Sequence, residues 1–445
     1  MKQAPFFGII SLENKKHQKE RSCLTITNYT RYIFELKRKV NNFSKKISNN
    51  LSRPKLKFIT QMIYGLINSQ TVILSDIARS LKEDILLKKT IDRLSRNLKK
   101  FDAQDKIKEN YLKEVKPHIN DNTVFCCDKS DIVKPYSKKL EALDRVRDGS
   151  KNETEKGYDT FEIAALTDNK ELPIGVYSHI YSSLEDGFKS QNIETIKGLD
   201  FVEKHFGKKG IYALDRGYDA NFFYKYFSNG NKDFVIRSKG NRNVIYKGKS
   251  LNIEKVANLY KGKYSYEYTN QKNKRKKLKF SYAPIKLPAI PDKNLTMVII
   301  RGHGKRPTML ITNVKPKAKK LTLAILKVYI KRWKIEEYFR FKKQQFDLEN
   351  IRVQSLQSIR NLDLILTIVI GFLALFSNRV NKTKLNRFVK KVSKRIYEIP
   401  NFDYYAIADG IKFILNKSYS GINSFLKSYY QKHQSQKRLR LFSPL

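Results

Sequence analysis

The sequence predicts a mixed α/β core, interrupted by an all-β insertion and flanked by helical segments at both ends. Three observations carry that expectation. Between Thr123 and Gly240, short apolar runs rich in strand formers alternate with helical periodicity. From about 241 to 318 only short strand-like pieces remain, separated by Gly, Pro and Lys-rich turns. On either side, residues 24 to 117 and the chain from Leu321 onward read as mostly helical.

In the first of these segments, TVILSDIARSLKEDILLKKTIDRLSRNL (71–98) reads as two amphipathic helices around a polar break at Lys82 to Asp84. The first repeats Ile73, Leu74, Ile77, Ala78 and Leu81 at helical spacing, with Ser75 as an N-cap. The second, from about Leu86 to Leu98, displays Lys88, Lys89, Arg93 and Arg96. The pattern fits a helix-turn-helix with its second helix facing DNA, and equally an ordinary helical hairpin.

TVFCCD (123–128), DTFEIAALT (159–167) and LPIGVYSHIYS (172–182) read as strands, the last two joined by a turn at Asp168 and Asn169. A helix over 192–206, a strand over 210–219, a helix in ANFFYKYF and a strand over 233–240 follow. Three strands, then helix, strand, helix, strand, is the order of a ribonuclease H-like core. NVIYKG, KYSYEYT, KKLKFSYAPI, LTMVIIRG and TMLITN make up the insertion. A long helix begins at Leu321 and an apolar one covers 358–377; residues 381–445 are basic and mostly helical. The expected domains are a helical, DNA-binding 1–118, a core in two parts at 119–240 and 319–380, the β-rich 241–318, and a basic helical 381–445.

Composition narrows the function. The 445 residues carry 90 Lys and Arg against 42 acids, a formal net charge of +48, spread along the chain. Such a field attracts a polyanion, nucleic acid first. Apolar residues at 40% are enough to fold, which excludes a disordered polycation. Cys23, Cys126 and Cys127 show no Cys-x-x-Cys spacing, so neither a zinc site nor a disulfide framework is expected, consistent with a reducing cytosol. No signal peptide is read in MKQAPFFGIISL. The most apolar run, LILTIVIGFLALF (364–376), has thirteen residues, too few to span a bilayer, and Asp363 and Arg379 flank it closely; a buried helix and no membrane partner are expected.

Asp128 and Asp215 each end an apolar strand-like run. Acids at a sheet rim can share a divalent metal; a turn or cap role is the alternative. The segment YIKRWKIEEYFRFKK (329–343) holds six cations around Glu336 and Glu337. On a continuous helix, Tyr329, Arg332, Glu336 and Lys343 fall within an arc of about 60°, and Glu337 lies off that stripe. A local ion pair of Glu336 with Arg332 or Arg340 is the competing reading.

Tyr329-x2-Arg332-x3-Glu336-x6-Lys343 resembles the YREK signature of bacterial insertion-sequence transposases of the DDE type. CCDKSDIVKP around Asp128 is similar to that family's first acidic motif, and ALDRGYD around Asp215 to its second. The β-rich stretch before the last acid is a further likeness, and the resemblance spans roughly 120 to 380. It implies that Asp128, Asp215 and Glu336 bind two Mg²⁺ ions, with Mn²⁺ able to substitute, and cut and join DNA. It also implies that Tyr329, Arg332 and Lys343, with Arg216, grip the DNA backbone. The partners would be double-stranded DNA, both terminal inverted repeats and target, and a second copy of the chain; the place, a bacterial cytoplasm at the nucleoid. Ser130 stands where relatives often have Thr. Some relatives hold a flipped base with a tryptophan in the insertion. The single Trp here, Trp333, lies outside it, leaving Tyr264, Tyr266 or Tyr268 to stack instead. A catalytically silent DNA-binding protein and a general nuclease of the same fold are the alternatives.

Overall fold

The structure is a computed structural model. It describes residues 29–148, 153–167, 170–230, 232–269, 275–302, 304, 306–315, 318–378, 383–395, 403–429 and 431. Cys23 and the expected Asp168–Asn169 turn lie outside them.

Helices α1 (29–47), α2 (Arg53–Ser69), α3 (Leu74–Ser80), α4 (Leu87–Lys100) and α5 (Gln104–Val115) precede the sheet. In α4 the spacing of Thr90, Leu94 and Leu98 makes one buried face. Its other face exposes Lys88, Lys89, Arg96, Lys99 and Lys100.

The core strands are β1 (Val124–Val133), β2 (Asp144–Asp148), β3 (Glu153–Thr167) and β4 (Lys170–Tyr181). Helix α6 (Gln191–Phe206), capped by Ser190, leads to β5 (Ile211–Leu214), and α7 (Asn221–Gly230) leads to β6 (Phe234–Arg237). β4 pairs with β3 and β3 with β1, both antiparallel. β1 pairs with β5 and β5 with β6, both parallel. The resulting order, β4-β3-β1-β5-β6, is the mixed sheet of a ribonuclease H-like core. β2, which sequence periodicity missed, pairs with the outer end of β3.

Next come β7 (Asn243–Tyr246), β8 (Lys249–Asn252), α8 (Ile253–Asn258), β9 (Tyr264–Thr269), β10 (Arg275–Leu287), β11 (Ile290–Arg301) and β12 (Thr308–Thr312). The insertion is therefore not wholly β, because Asn252 caps the short helix α8. Its strands extend the core: β12 pairs with β6, and one sheet runs on through β11 and β10.

The chain returns through α9 (Lys319–Arg332), α10 (Lys334–Arg340) and a π-helical turn (Phe341–Gln345), then α11 (Leu356–Asn378), α12 (Lys384–Val392), α13 (Tyr404–Asn416) and α14 (422–429). The helix expected to run unbroken from Leu321 is thus broken at Trp333 and widened after Arg340. Helix α11 extends well beyond the thirteen-residue apolar run. It is long and apolar enough to cross a membrane, but most of it is buried against β4, α2, α4, α5 and α13.

The sheet separates two layers. Val124, Cys126, Ala164 and Ala213 point to the α9–α10 side, where Ile335 packs on them. Phe125, Cys127, Ile163 and Leu214 point to the other side, into the main core. This period-two alternation decides which strand residues reach the α9–α10 face.

Candidate active site

Asp128 shares the parity of Cys126, so its carboxyl rises on the α9–α10 side. The sequence suggests it ends a strand, but β1 continues to Val133. The polar stretch after Asp128 stays paired because β3 is long enough to match it, from Asp128 opposite Glu162 to Val133 opposite Gly157. The parallel partner is what stops: β5 matches β1 only from Val124–Ile211 to Cys126–Ala213. Carried two residues further, that register sets Asp128 beside Asp215, just past the end of β5. There Asp215 accepts a hydrogen bond from the Gly217 amide at 2.7 Å and caps the turn Arg216–Tyr218. Asp215 thus has the cap geometry that the alternative reading foresaw, and it also stands at the sheet rim.

Glu336 comes from the first turn of α10. Arg332, the last residue of α9, bridges it to the sheet. One guanidinium nitrogen donates to Asp128 Oδ2 at 2.7 Å and another to Glu336 Oε1 at 3.2 Å. The Arg332 side chain is 5% exposed, and its Nε is buried with no partner. Burial pushes the Asp128 carboxyl up to about 7; Arg332 pulls it down, and Asp215 and Glu336 add to the rise. Burial raises Glu336 as well, against the pull of Arg332. Asp215 acts electrostatically on Asp128, Glu336 and Arg332, so the three acids share one neighbourhood.

The other candidates sit around this group. Tyr329 is buried with its hydroxyl unpartnered, its ring 5.9 Å from the Arg332 guanidinium, among Val235, Leu278 and Val298. Arg216 is exposed beside Asp215. Lys343 is quarter-exposed and pairs with Asp131 at 3.2 Å and Glu349 at 3.0 Å. In this conformation Tyr329 and Arg332 offer no surface to a duplex. Of the stripe expected from helical spacing, Tyr329, Arg332 and Glu336 stay adjacent across the break at Trp333, whereas Lys343, in the π-helical turn where each residue advances by less than 100°, pairs elsewhere. Glu337 pairs with Arg340 at 2.6 Å. Asp219, another acid near Asp215, is buried and held by Arg242, Tyr224, Ser238 and the Lys239 amide, which makes it a structural clamp. Tyr266 and Tyr268 stack on each other and pack against the apolar cluster that contains Tyr329.

Sequence reasoning missed one group. Lys342 is buried between both oxygens of Glu162, at 2.8 and 2.9 Å, and Asp363 at 2.6 Å. The available signal was a charged residue inside otherwise apolar stretches: Glu162 within FEIAAL, and Asp363 beside the apolar run.

The carboxylates suit a divalent ion in their chemistry: hard oxygens, with the carboxyls of Asp128 and Glu336 both raised by burial. Among the described residues no three acids, histidines or cysteines converge on one ion position. The guanidinium of Arg332 lies between Asp128 and Glu336.

A model of the transposase DDE domain matches residues 120–372, more than half of the chain. The chain belongs to that family, and its class is that of transposases. No curated protein matches it. Among solved structures it is similar to one described as the cryo-EM structure of piggyBac transposase synaptic complex with hairpin DNA. The identity is 10%, covering 94% of this chain and 82% of that one, with a TM-score of 0.45.

Proposed function

We propose that this transposase works by cut-and-paste on the ends of its own element, with Asp128, Asp215 and Glu336 as its catalytic carboxylates. The observation that supports the reading is that Asp128 and Asp215 follow the last matched pair of the parallel strands and act on each other electrostatically, with Glu336 tied to Asp128 through Arg332. These carboxylates would hold divalent ions, Mg²⁺ or Mn²⁺, which when bound lower the pKa of an attacking hydroxyl and stabilise the leaving oxygen. Arg216, exposed beside Asp215, would hold a backbone phosphate in a bidentate fork, and Lys343 would supply a point charge once released from Asp131 and Glu349. The cationic face of α4 would grip the terminal repeats. In the first step water attacks phosphorus and the bond to the 3′ oxygen breaks. In the second, that freed 3′ hydroxyl attacks a target phosphodiester, and the target's own 3′ oxygen leaves. Two ends must be cut and paired, so two copies would act together.

The test uses full-length protein, Mg²⁺, and duplexes that end in the element's repeats or in scrambled sequence. Asp128→Asn, Asp215→Asn and Glu336→Gln each lower cleavage by roughly a thousandfold or more, with end binding within about threefold of wild type. Full cleavage by Glu336→Gln, lost instead in Glu337→Gln, would remove Glu336 from the set. A second reading, a silent DNA-binding descendant, is favoured by the guanidinium among the acids; tight binding with no nicks in either metal would establish it. Equal cutting of scrambled DNA would make the protein a general nuclease.

A further inference from the structure

Arg332 is more than a neutralising partner. It joins two carboxylates from separate elements, Asp128 on β1 and Glu336 on α10, and it is almost wholly buried. The rings of Tyr329 and Trp333 stand 5.9 and 5.4 Å from the guanidinium and confine it. Yet its Nε, buried, has no partner. A settled buried arginine satisfies its donors, because an orphaned one costs desolvation without return. The housing therefore holds a cation securely but bonds it incompletely. A guanidinium touching these carboxylates also repels a second cation and occupies oxygen lone pairs an ion would need.

We propose that Arg332 is a built-in placeholder cation: it holds Asp128 and Glu336 together before a divalent ion arrives and releases at least one of them when the ion binds. The released guanidinium, planar and always charged, is then free to take a DNA phosphate oxygen. This rests on the metal reading of the three carboxylates. It makes the metal affinity of the DNA-free protein the result of a competition within the chain.

The test measures Mn²⁺ binding to the full-length protein without DNA, by electron paramagnetic resonance of the free ion. The component lost in Asp128→Asn is taken as the site. Arg332→Gln binds Mn²⁺ there at least about tenfold more tightly than wild type, and Arg332→Lys lies between them. Equal or weaker binding by Arg332→Gln overturns the placeholder role alone. No such component in either protein overturns the metal reading, and this inference with it. A second measurement uses wild type only: phenylglyoxal modification mapped to Arg332 by mass spectrometry. Saturating Mn²⁺ raises that modification several-fold; an unchanged or lower value overturns the proposal.

Discussion

Arg332 ends α9 and Lys342 lies in the π-helical turn after α10, and each faces carboxylates on the same side of the sheet. Glu162, which holds Lys342, is directly opposite Asp128, which holds Arg332. The surroundings differ. Lys342, Glu162 and Asp363 are 1%, 2% and 3% exposed, and the ammonium meets both acids, with Thr367 and Ser178 beside it. At Arg332 the guanidinium is buried, but Glu336 is 39% exposed and one donor has no partner. The first cluster is sealed; the second is open on one side. A closed ionic cluster fixes how elements dock, whereas an open one can exchange its cation. The sealed cluster pins the π-helical turn to β3 and α11, and so fixes the segment that follows Glu336.

Four changes would break or sharpen this contrast. The largest effect is expected from Lys342→Met, which leaves two buried carboxylates without a cation and lowers stability by about 3–5 kcal/mol, read from urea unfolding. A loss below about 1 kcal/mol would mean that the cluster is not sealed. The second concerns pH. Asp128 binds its proton more tightly when folded, at about 7 against an ordinary 3.8. Its contribution to stability is complete below about 4 and disappears as pH rises through 7. Without divalent ions, the stability lost between pH 4 and 8 should be smaller in Asp128→Asn by about 2–4 kcal/mol. Identical pH profiles in thermal melts would refute the raised carboxyl. The third is Gly175→Ala on β4. Its Cβ would lie 2.3 Å from the Tyr338 hydroxyl and 2.9 Å from Thr367, so the side chains docking α10 and α11 on β4 must shift, at about 1–3 kcal/mol. Cleavage should fall further than that stability loss explains, because α10 carries Glu336. The smallest is Glu337→Gln, which removes an exposed-side pair with Arg340 and should change stability by a few tenths of a kcal/mol and cleavage not at all.

Period-two alternation and strand-to-helix order made β1, β3, β4, β5 and β6 legible, because a half-buried strand must alternate and a crossover needs a helix. Asp128 and Asp215 were legible as candidates, since each follows an apolar run. Three features were not. The length of β1 past Asp128 depends on a partner strand distant in sequence, which polar composition does not announce. The π-helical turn overrode the even spacing that joined Lys343 to Tyr329, Arg332 and Glu336 in a stripe. The Glu162–Lys342–Asp363 cluster joins three elements that no local pattern links.

By itself the sequence determined the alternating core, the cationic character and the candidate acids, because these follow from local periodicity and composition. Only the tertiary structure decided which charges meet. It turned Lys342 inward to a sealed cluster, sent Lys343 to Asp131 and Glu349, and set Arg332 between Asp128 and Glu336. Ion pairing acts over a few ångströms of space, whatever the separation along the chain, so strand register and helix docking choose the partners.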